Sequence, residues 1–274
     1  MPSDTPVDTL FLHGGPGLCT LAERRLYGQT LAIQWWDQPR SVALFARPYS
    51  DLIEFALDEV DELAEAAGGP VRIVAHSFGA SLALDVAMRV PGKIAALTLL
   101  APVHDVGLAF TRVAQAVGKI AEDPAGLIQA RERYRDDPGN VDRLLALTRA
   151  TMAVPNFLDV YWAPESRARR DWFYALMTGE SLFDLAVFEA VLADYAARGS
   201  VLPVVVPIDC PVRIAFGAHD PAVVEGEDLA HWRSYLPDAT CHTLRTGHMI
   251  QLECRPSAWF SGGDDRAARA EGHG

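Results

Sequence analysis

Short apolar runs alternate with longer, mixed segments along much of the chain. Runs of this length are typical of strands buried in a parallel sheet. They predict strands at 9–12, 31–36, 71–75, 94–100, 212–216 and 240–244. The segments between and after them predict helices at 20–28, 50–67, 78–89, 228–236 and 256–260. This alternation indicates an α/β fold with a mostly parallel sheet and helices on both faces.

The segment 50–67 shows the helical period most clearly. Its apolar positions are Leu52, Phe55, Ala56, Val60, Leu63 and Ala67. Ser50 is the predicted N-cap, and Gly68-Gly69-Pro70 ends the helix.

The strand pattern stops between residues 104 and 208. This stretch is helical in pattern and rich in aromatic residues, and no βα unit is recognisable before Leu202. The sequence therefore predicts a core of two parts, 1–103 and 209–260, with a helical insertion at 104–208. The tail 261–274 is rich in Gly, Ala, Asp and Arg, and we expect it to be disordered.

Composition narrows the class of protein. Hydrophobic residues make up 50% of the 274, enough for a sizeable core. The formal net charge of −12 argues against nucleic acid or a membrane surface as a partner. Residues 1–8 lack the apolar core of a secretion signal, and no run approaches the roughly 18 apolar residues of a membrane span. We therefore expect a cytoplasmic protein with reduced thiols at Cys19, Cys210, Cys241 and Cys254.

The segment 71–80 places a serine between a predicted strand and a predicted helix. Small residues stand two positions before and after Ser77, at Ala75 and Gly79. A nucleophile elbow needs this spacing, because a larger side chain at either position would strike the neighbouring strand or helix. The usual pattern is G-x-S-x-G, so Ala75 adds one methyl group; a plain strand-to-helix turn is the alternative.

A second motif, His13-Gly14-Gly15-Pro16-Gly17, directly follows the first predicted strand. Three glycines and a proline in five residues predict a loop whose backbone can approach a ligand closely. Beside a nucleophile elbow, such a loop supplies an N–H of the oxyanion hole. We predict an oxyanion hole formed by Phe78, Gly14 and Gly15; a turn without chemistry is the alternative.

The loop at 13–17, the strand end Trp36-Asp37-Gln38 and the serine elbow together resemble the proline iminopeptidase branch of the α/β-hydrolase superfamily. In that branch the loop reads HGGPG and the next strand ends in a D-Q-R-G type turn. The loop matches completely, whereas the turn continues as Pro39-Arg40-Ser41-Val42, without the glycines of the family. The resemblance implies an α/β-hydrolase fold whose helical cap is the insertion at 104–208.

Ser77, Asp220 and His248 occur in the chain order Ser…Asp…His of the α/β-hydrolase fold. Each follows a predicted strand, at the edge of the sheet where such folds place their sites. We predict a catalytic triad. Ser77 is the nucleophile, His248 the general acid and base, and Asp220 the group that orients the imidazole.

Other ionisable residues lie near these motifs. Asp105 is the alternative triad acid, because it follows the strand after the elbow helix. His76 is predicted to be packed away from Ser77, and His219 to lie at the surface. His13 is predicted to stabilise the oxyanion loop and Asp37 to brace its own loop. No cluster suggests a metal and no glycine-rich phosphate loop is present, so we expect neither a metal nor a cofactor.

The resemblance also implies how substrate is bound. In proline iminopeptidases, acidic residues of the cap hold the free ammonium group of the substrate. Glu165 is the nearest candidate here, with Glu180 and Glu189 behind it; a helix N-terminal carboxylate is the alternative for Glu165. Trp162 and Trp172 are predicted to line the substrate pocket, with the core of the cap as the alternative.

These observations predict a serine hydrolase that forms an acyl-enzyme on Ser77. The expected partner is a small molecule or a short peptide, with an amide, peptide or ester bond to be cut. A thioesterase, lactone hydrolase or cyclase of a biosynthetic pathway is the second hypothesis, because the same triad serves those reactions. A cofactor-free lyase or a non-catalytic ligand-binding protein is a third, because this fold also hosts such functions. The sequence leaves the oligomeric state open.

Overall fold

The structure, a computed structural model, describes residues 7–199 and 207–260. Within these ranges a six-stranded sheet has the order β2-β1-β3-β4-β5-β6, and all neighbouring strands pair in parallel. The strands are β1 (Thr9–Leu12), β2 (Gln34–Trp36), β3 (Val71–His76), β4 (Ile94–Leu100), β5 (Val212–Gly217) and β6 (Thr240–Leu244). The predicted parallel sheet is therefore confirmed. The tail 261–274, predicted to be disordered, lies outside the described residues.

Helices connect the strands and cover the sheet. Those outside the stretch between β4 and β5 are α1 (Leu21–Tyr27), α2 (Pro48–Ala67), α3 (Gly79–Arg89), α9 (Glu225–Tyr235) and α10 (Ile250–Glu253). Those between β4 and β5 are α4 (Val106–Gly118), α5 (Ala125–Arg135), α6 (Val141–Met152), α7 (Arg167–Gly179) and α8 (Leu185–Ala197). Short 3₁₀ turns occupy Arg40–Leu44, Pro91–Lys93, Phe157–Tyr161, Pro164–Ser166 and Pro256–Ala258. We call the helices α4 to α8 and the turns between them the helical insertion.

Alternate residues of each strand face opposite sides of the sheet, as the two-residue period of a strand requires. In β1, Leu10 and Leu12 belong to a large hydrophobic cluster that includes residues of α2, α3 and α9. Phe11 belongs to a second cluster with Ile250 of α10 and Trp259. Helices therefore cover both faces, and the carboxyl ends of the parallel strands share one edge.

Helix α2 begins earlier than the sequence predicts. Its first residue is Pro48, and Arg47 rather than Ser50 occupies the N-cap position. Proline suits the first helical position because its fixed φ matches the helix. An N–H at this position would have no acceptor within the helix, so its absence costs no hydrogen bond. The free N–H groups of Tyr49 and Ser50 instead donate to Asp194 Oδ2 of α8, at 2.9 and 3.3 Å. The helical insertion thus caps a helix of the core.

Two smaller observations complete the fold. The cysteines predicted to be reduced are free thiols. Among the described residues, no helix is both long and apolar enough to cross a membrane.

Candidate active site

Ser77 lies at a sharp turn between β3 and α3. Its φ is +52°, in the left-handed region that non-glycine residues rarely adopt, and its N–H donates to the Leu100 carbonyl at 2.8 Å. Gly79 makes this turn possible, because a Cβ there would lie 2.4 Å from the carbonyl oxygen of Leu12. The turn therefore has the strained backbone and close packing of a nucleophile elbow.

The structure brings together the side chains of Ser77, His248 and Asp220, all nearly buried. His248 Nε2 lies 2.8 Å from Ser77 Oγ, and His248 Nδ1 lies 2.6 Å from Asp220 Oδ2. The other oxygen of Asp220 accepts the N–H groups of Ala222 and Val223, at 2.8 and 3.2 Å. Both carboxylate oxygens are thus engaged, and the imidazole bridges the acid and the serine.

The backbone around His248 is held by the helical insertion. The His248 N–H donates to the carbonyl of Tyr161 at 2.7 Å. Glu253 connects the two segments, because its two carboxylate oxygens accept the N–H groups of Gly247 and Ala163, each at 2.9 Å. Sequence reasoning missed Tyr161 and Glu253, which have no local motif.

The loop after β1 lies directly against the elbow. A Cβ on Gly14 would be 2.9 Å from Ser77 Cβ and 2.5 Å from His76 Nδ1, so the backbone approaches as closely as glycine permits. Gly15 has a φ of +60°, which glycine adopts without strain. Gly14, Gly15 and Phe78 all line the cavity that contains Ser77. Of the three residues predicted to form an oxyanion hole, Gly14 and Phe78 are therefore adjacent to the serine, and Gly15 borders the same cavity.

His13 braces this loop. Its Nε2 accepts the N–H of Gln38 at 3.3 Å, so Nδ1 carries the proton and donates to the Gly14 carbonyl at 3.0 Å. Burial lowers the pKa of His13, which favours this neutral form. Asp37 likewise has a bracing contact, because it accepts from both the N–H and the hydroxyl of Thr20.

The remaining ionisable candidates do not contribute to the hydrogen bonds that join the Ser77, His248 and Asp220 side chains. Asp105 caps α4 by accepting the N–H of Leu108 at 3.0 Å, and it does not contact His248. His219 is exposed at the surface. His76 is buried with its Nε2 2.8 Å from the carbonyl of His248.

Ser77 and His248 open into a cavity of about 550 Å³. Most of its walls are apolar side chains, many from the helical insertion, including Val106, Phe110, Phe157, Phe183, Phe188 and Leu192. Among the described lining residues, Arg149 is charged, and its guanidinium pairs with Glu189 at 2.6 and 2.7 Å. None of these lining residues carries a carboxylate.

The predicted substrate-binding residues do not line this cavity, and their assignment is corrected here. Glu165 is 62% exposed, with its carboxylate 3.7 Å from Arg245. Trp162 is buried in a hydrophobic cluster with Phe173, and Trp172 packs beside that cluster under the guanidinium of Arg169. The predicted alternatives, a carboxylate near a helix start and a core for the insertion, describe these positions better.

The other two acidic candidates are paired with arginines. Glu180 lies 3.4 Å from Arg25, and Glu189 holds Arg149. Among the described residues, no group of three or more His, Cys, Asp and Glu side chains is arranged to hold a metal ion.

The sequence model of the alpha/beta hydrolase family matches residues 9–261. This chain belongs to the α/β-hydrolase family. The six-stranded parallel sheet with flanking helices agrees with that fold. The search of curated proteins found no significant match.

Several solved structures are similar to this α/β hydrolase over most of its length. A proline iminopeptidase-related protein from Thermus thermophilus is 25% identical, with a TM-score of 0.64 over 94% of this chain and 87% of that one. The resemblance to proline iminopeptidases is thereby confirmed. Two further structures share the fold at lower identity. A 2-hydroxy-6-oxo-6-phenylhexa-2,4-dienoate hydrolase from a Rhodococcus species is 15% identical, with a TM-score of 0.56 over 91% and 86% of the two chains. An N-acyl homoserine lactone degrading enzyme, Est816, is 17% identical, with a TM-score of 0.56 over 96% and 92%.

Proposed function

We propose that this α/β hydrolase is a serine hydrolase that cleaves neutral carboxylic ester-type substrates with an apolar acyl group. The observation that carries the proposal is the hydrogen-bonded series Ser77–His248–Asp220 at the wall of an apolar cavity. The order of these groups suits proton transfer from the serine hydroxyl to an imidazole, which the carboxylate orients.

In the proposed mechanism, the His248 Nδ1–H donates to Asp220, which leaves Nε2 unprotonated and facing the Ser77 hydroxyl. Ser77 Oγ attacks the substrate carbonyl while its proton passes to Nε2. Asp220 stabilises the resulting imidazolium, and its second oxygen is already held by two backbone N–H groups. Nε2 then protonates the leaving group, and an acyl-enzyme remains on Ser77. Water, deprotonated by His248, releases the acid.

The negative charge of the tetrahedral intermediate needs donors close to Ser77. The N–H of Phe78 and an N–H of Gly14 or Gly15 are assigned to this role, because their backbone borders the cavity beside the serine. Phe78 also immediately precedes α3, whose N-terminal dipole favours negative charge. One such donor contributes on the order of 3 kcal/mol to stabilisation of the transition state.

The cavity favours one class of substrate over another. A peptide with a free amino terminus presents an ammonium ion, which needs a carboxylate when it is removed from water. The described cavity wall has no carboxylate, and its charged group is the cation of Arg149. An ester, thioester or lactone with an apolar acyl chain has no such requirement, so these substrates are preferred to the iminopeptidase substrate that the family resemblance implies.

The test compares aryl esters of increasing acyl length with a prolyl aryl amide. Wild type, Ser77→Ala and a matched control, Ser234→Ala, are measured together; Ser234 is exposed on α9 and bonds to the His231 carbonyl. We expect ester hydrolysis by wild type and by Ser234→Ala, with a loss of at least about 10³-fold in Ser77→Ala. Thermal unfolding of the three proteins checks that each is folded.

Each other outcome has a distinct meaning. Ester hydrolysis that persists in Ser77→Ala would refute Ser77 as the nucleophile. Ser77-dependent cleavage of the prolyl amide in preference to the esters would support an aminopeptidase. If neither substrate reacts, a fluorophosphonate probe decides: labelling of Ser77 would indicate a hydrolase of narrow range, and no labelling would favour a lyase or a ligand-binding protein.

A further inference from the structure

A buried chain of polar side chains runs behind the proposed active site. Glu23 of α1 and Gln251 of α10 are 5% and 1% exposed. Gln251 Nε2 donates to Glu23 Oε1 at 2.9 Å and lies 3.3 Å from His76 Nδ1. His76 Nε2 in turn lies 2.8 Å from the carbonyl oxygen of His248. The chain therefore joins a buried carboxyl group to the backbone of the proposed general base.

The donors and acceptors of this chain fit one arrangement of protons. An ionised Glu23 only accepts, so it faces the amide nitrogen of Gln251. The second N–H of that nitrogen points to His76 Nδ1, which must then be the acceptor. The proton of the neutral His76 ring is consequently on Nε2, where it donates to the His248 carbonyl. Burial and the neighbouring His248 hold the pKa of His76 well below its usual value, in agreement with a neutral ring.

Protonation of Glu23 removes this constraint. The neutral carboxyl can donate its O–H to Gln251 Oε1, an atom without a hydrogen-bond partner among the described residues. A flipped amide then presents its oxygen to His76 Nδ1 and favours the other tautomer of His76. In that tautomer Nε2 carries no proton, and the hydrogen bond to the His248 carbonyl is lost. The charge of Glu23 thus favours the arrangement that holds His248.

The surroundings of Glu23 place its titration in the neutral range. Burial raises the pKa of Glu23 to about 7, although the hydrogen bond from Gln251 acts in the opposite direction. The titratable groups around this carboxyl are His13, Cys19, Arg24, Tyr27, Asp37 and His76. Asp37 raises the pKa of Glu23 and Arg24 lowers it.

Glu23 is separated from the substrate cavity. It borders a space of about 20 Å³ between α1, the loop after β1 and α10, which also touches His13 and Gly14. It is not among the residues that line the cavity around Ser77. Glu23 therefore does not contact the substrate, and its hydrogen bonds lead toward the site through Gln251 and His76.

We propose that Glu23 is a positioning residue for His248, acting through Gln251 and His76. The inference rests on the proposed function, because that function makes His248 the general base. Ionised Glu23 selects the Gln251 orientation and the His76 tautomer that hold the His248 backbone, so the reactivity of Ser77 depends on a second ionisation besides that of the triad. Substrate affinity does not depend on it.

The experiment measures the rate of Ser77 modification by a fluorophosphonate, which needs no knowledge of the natural substrate. Wild type, Glu23→Gln, Gln251→Met and the double variant are compared from pH 5 to 9. Glu180→Gln is the matched control, because it makes the same acid-to-amide change at the surface. Glu180 pairs there with Arg25, which belongs to α1, the helix of Glu23. The ring nitrogens of ¹⁵N-labelled histidines are followed by NMR over the same pH range.

We expect Glu23→Gln to slow modification about threefold to tenfold above pH 7, as the loss of one hydrogen bond implies, and to remove one ionisation from the pH profile. The double variant should be no slower than the single variants, because all three break the same chain. In the ester assay, kcat should fall and KM should stay constant. The ring signals of His76, whose pKa lies well below its usual value, should shift near pH 7 in wild type and in Glu180→Gln, but not in Glu23→Gln.

The inference is overturned if Glu23→Gln has the wild-type rate and pH profile, or if the two single substitutions are additive. Failure of the proposed function has a different signature, the absence of Ser77 labelling in wild type. The NMR measurement then decides without any reaction. If the His76 ring signals of Glu23→Gln have the wild-type pH dependence, the connection is refuted.

Discussion

At the scale of single residues, burial makes the ionisation of Glu23 unfavourable, and this makes the stability of the protein depend on pH. Burial raises the pKa of this carboxyl from 4.5 to about 7. The folded chain therefore holds the proton up to a higher pH than the unfolded chain does. The contribution of Glu23 to the free energy of unfolding is largest below pH 4.5 and is lost as the pH rises through about 7.

Glu23→Gln should remove this pH dependence. We expect the free energy of unfolding of wild type, relative to that of Glu23→Gln, to fall by on the order of 3 kcal/mol between pH 4.5 and about 7. Urea unfolding at several pH values measures it. His13 and His76, whose pKa values are lowered, give the opposite trend in both proteins, so the difference isolates Glu23. A difference that stays constant with pH would contradict this expectation.

At the scale of elements, contacts between the helical insertion and the core fix both layers. Asp194 of α8 accepts the first free N–H groups of α2, and the ring of Tyr49 at that helix start lies 4.9 Å from the Arg198 guanidinium carbon. At the start of α8, the N–H of Asp184 donates to the carbonyl of Gly17 at 2.8 Å. Helix α8 is therefore hydrogen-bonded both to a core helix and to the loop at 13–17.

Asp194→Ala should destabilise the fold through the start of α2. Loss of an N-capping side chain costs about 0.5–2 kcal/mol, whereas Asp194→Asn keeps an acceptor oxygen and should cost less. The free energy of unfolding in urea compares the two variants with wild type. Equal destabilisation by alanine and asparagine would show that Asp194 does not act as a cap.

The sequence predicts well those elements that local residues determine, and less well those that depend on a distant partner. The strands at 9–12, 94–100 and 240–244 have their predicted bounds, because a short run bordered by turn residues determines them locally. The start of α2 was wrongly predicted at Ser50. The capping carboxylate, Asp194, comes 145 residues after Tyr49, and no local pattern reports such a partner.

The residues of the candidate site also differ in how far the sequence predicts them. Ser77, Asp220 and His248 each follow a strand, so chain order alone suggests that they share an edge. Glu23 and Gln251 carry no motif, because their contact joins positions 228 residues apart.

The error at Glu165 has a related cause. Nothing in the sequence indicates which side of the helical insertion faces the cavity.

At the scale of the whole molecule, the cavity depends on both layers. Ser77 and His248 border it just after the ends of strands, and most of its apolar wall comes from the helical insertion. Each methylene group buried there contributes about 0.8 kcal/mol, or roughly fourfold in kcat/KM. Acyl-chain preference should therefore rise with length until the cavity is filled.

Ala109→Leu should move the optimum to shorter acyl chains. Ala109 lies on α4, is 7% exposed and lines the cavity, so a larger side chain takes space from the substrate. The measurement is kcat/KM for a series of aryl esters. Ala66→Leu, on the exposed side of α2, is the matched control and should keep the wild-type optimum. An unchanged optimum in Ala109→Leu would show that the acyl group binds elsewhere.

The hydrogen bond from the His248 N–H to the Tyr161 carbonyl has a consequence for protein engineering. Exchanging the insertion for that of another family member would replace the backbone around Tyr161 that accepts the His248 N–H, together with Ala163, the second partner of Glu253. Chimeras that keep residues 161–163 with the core should retain a working triad, whereas chimeras cut at the ends of β4 and β5 should not. The helical insertion is thus part of the support of the His248 loop.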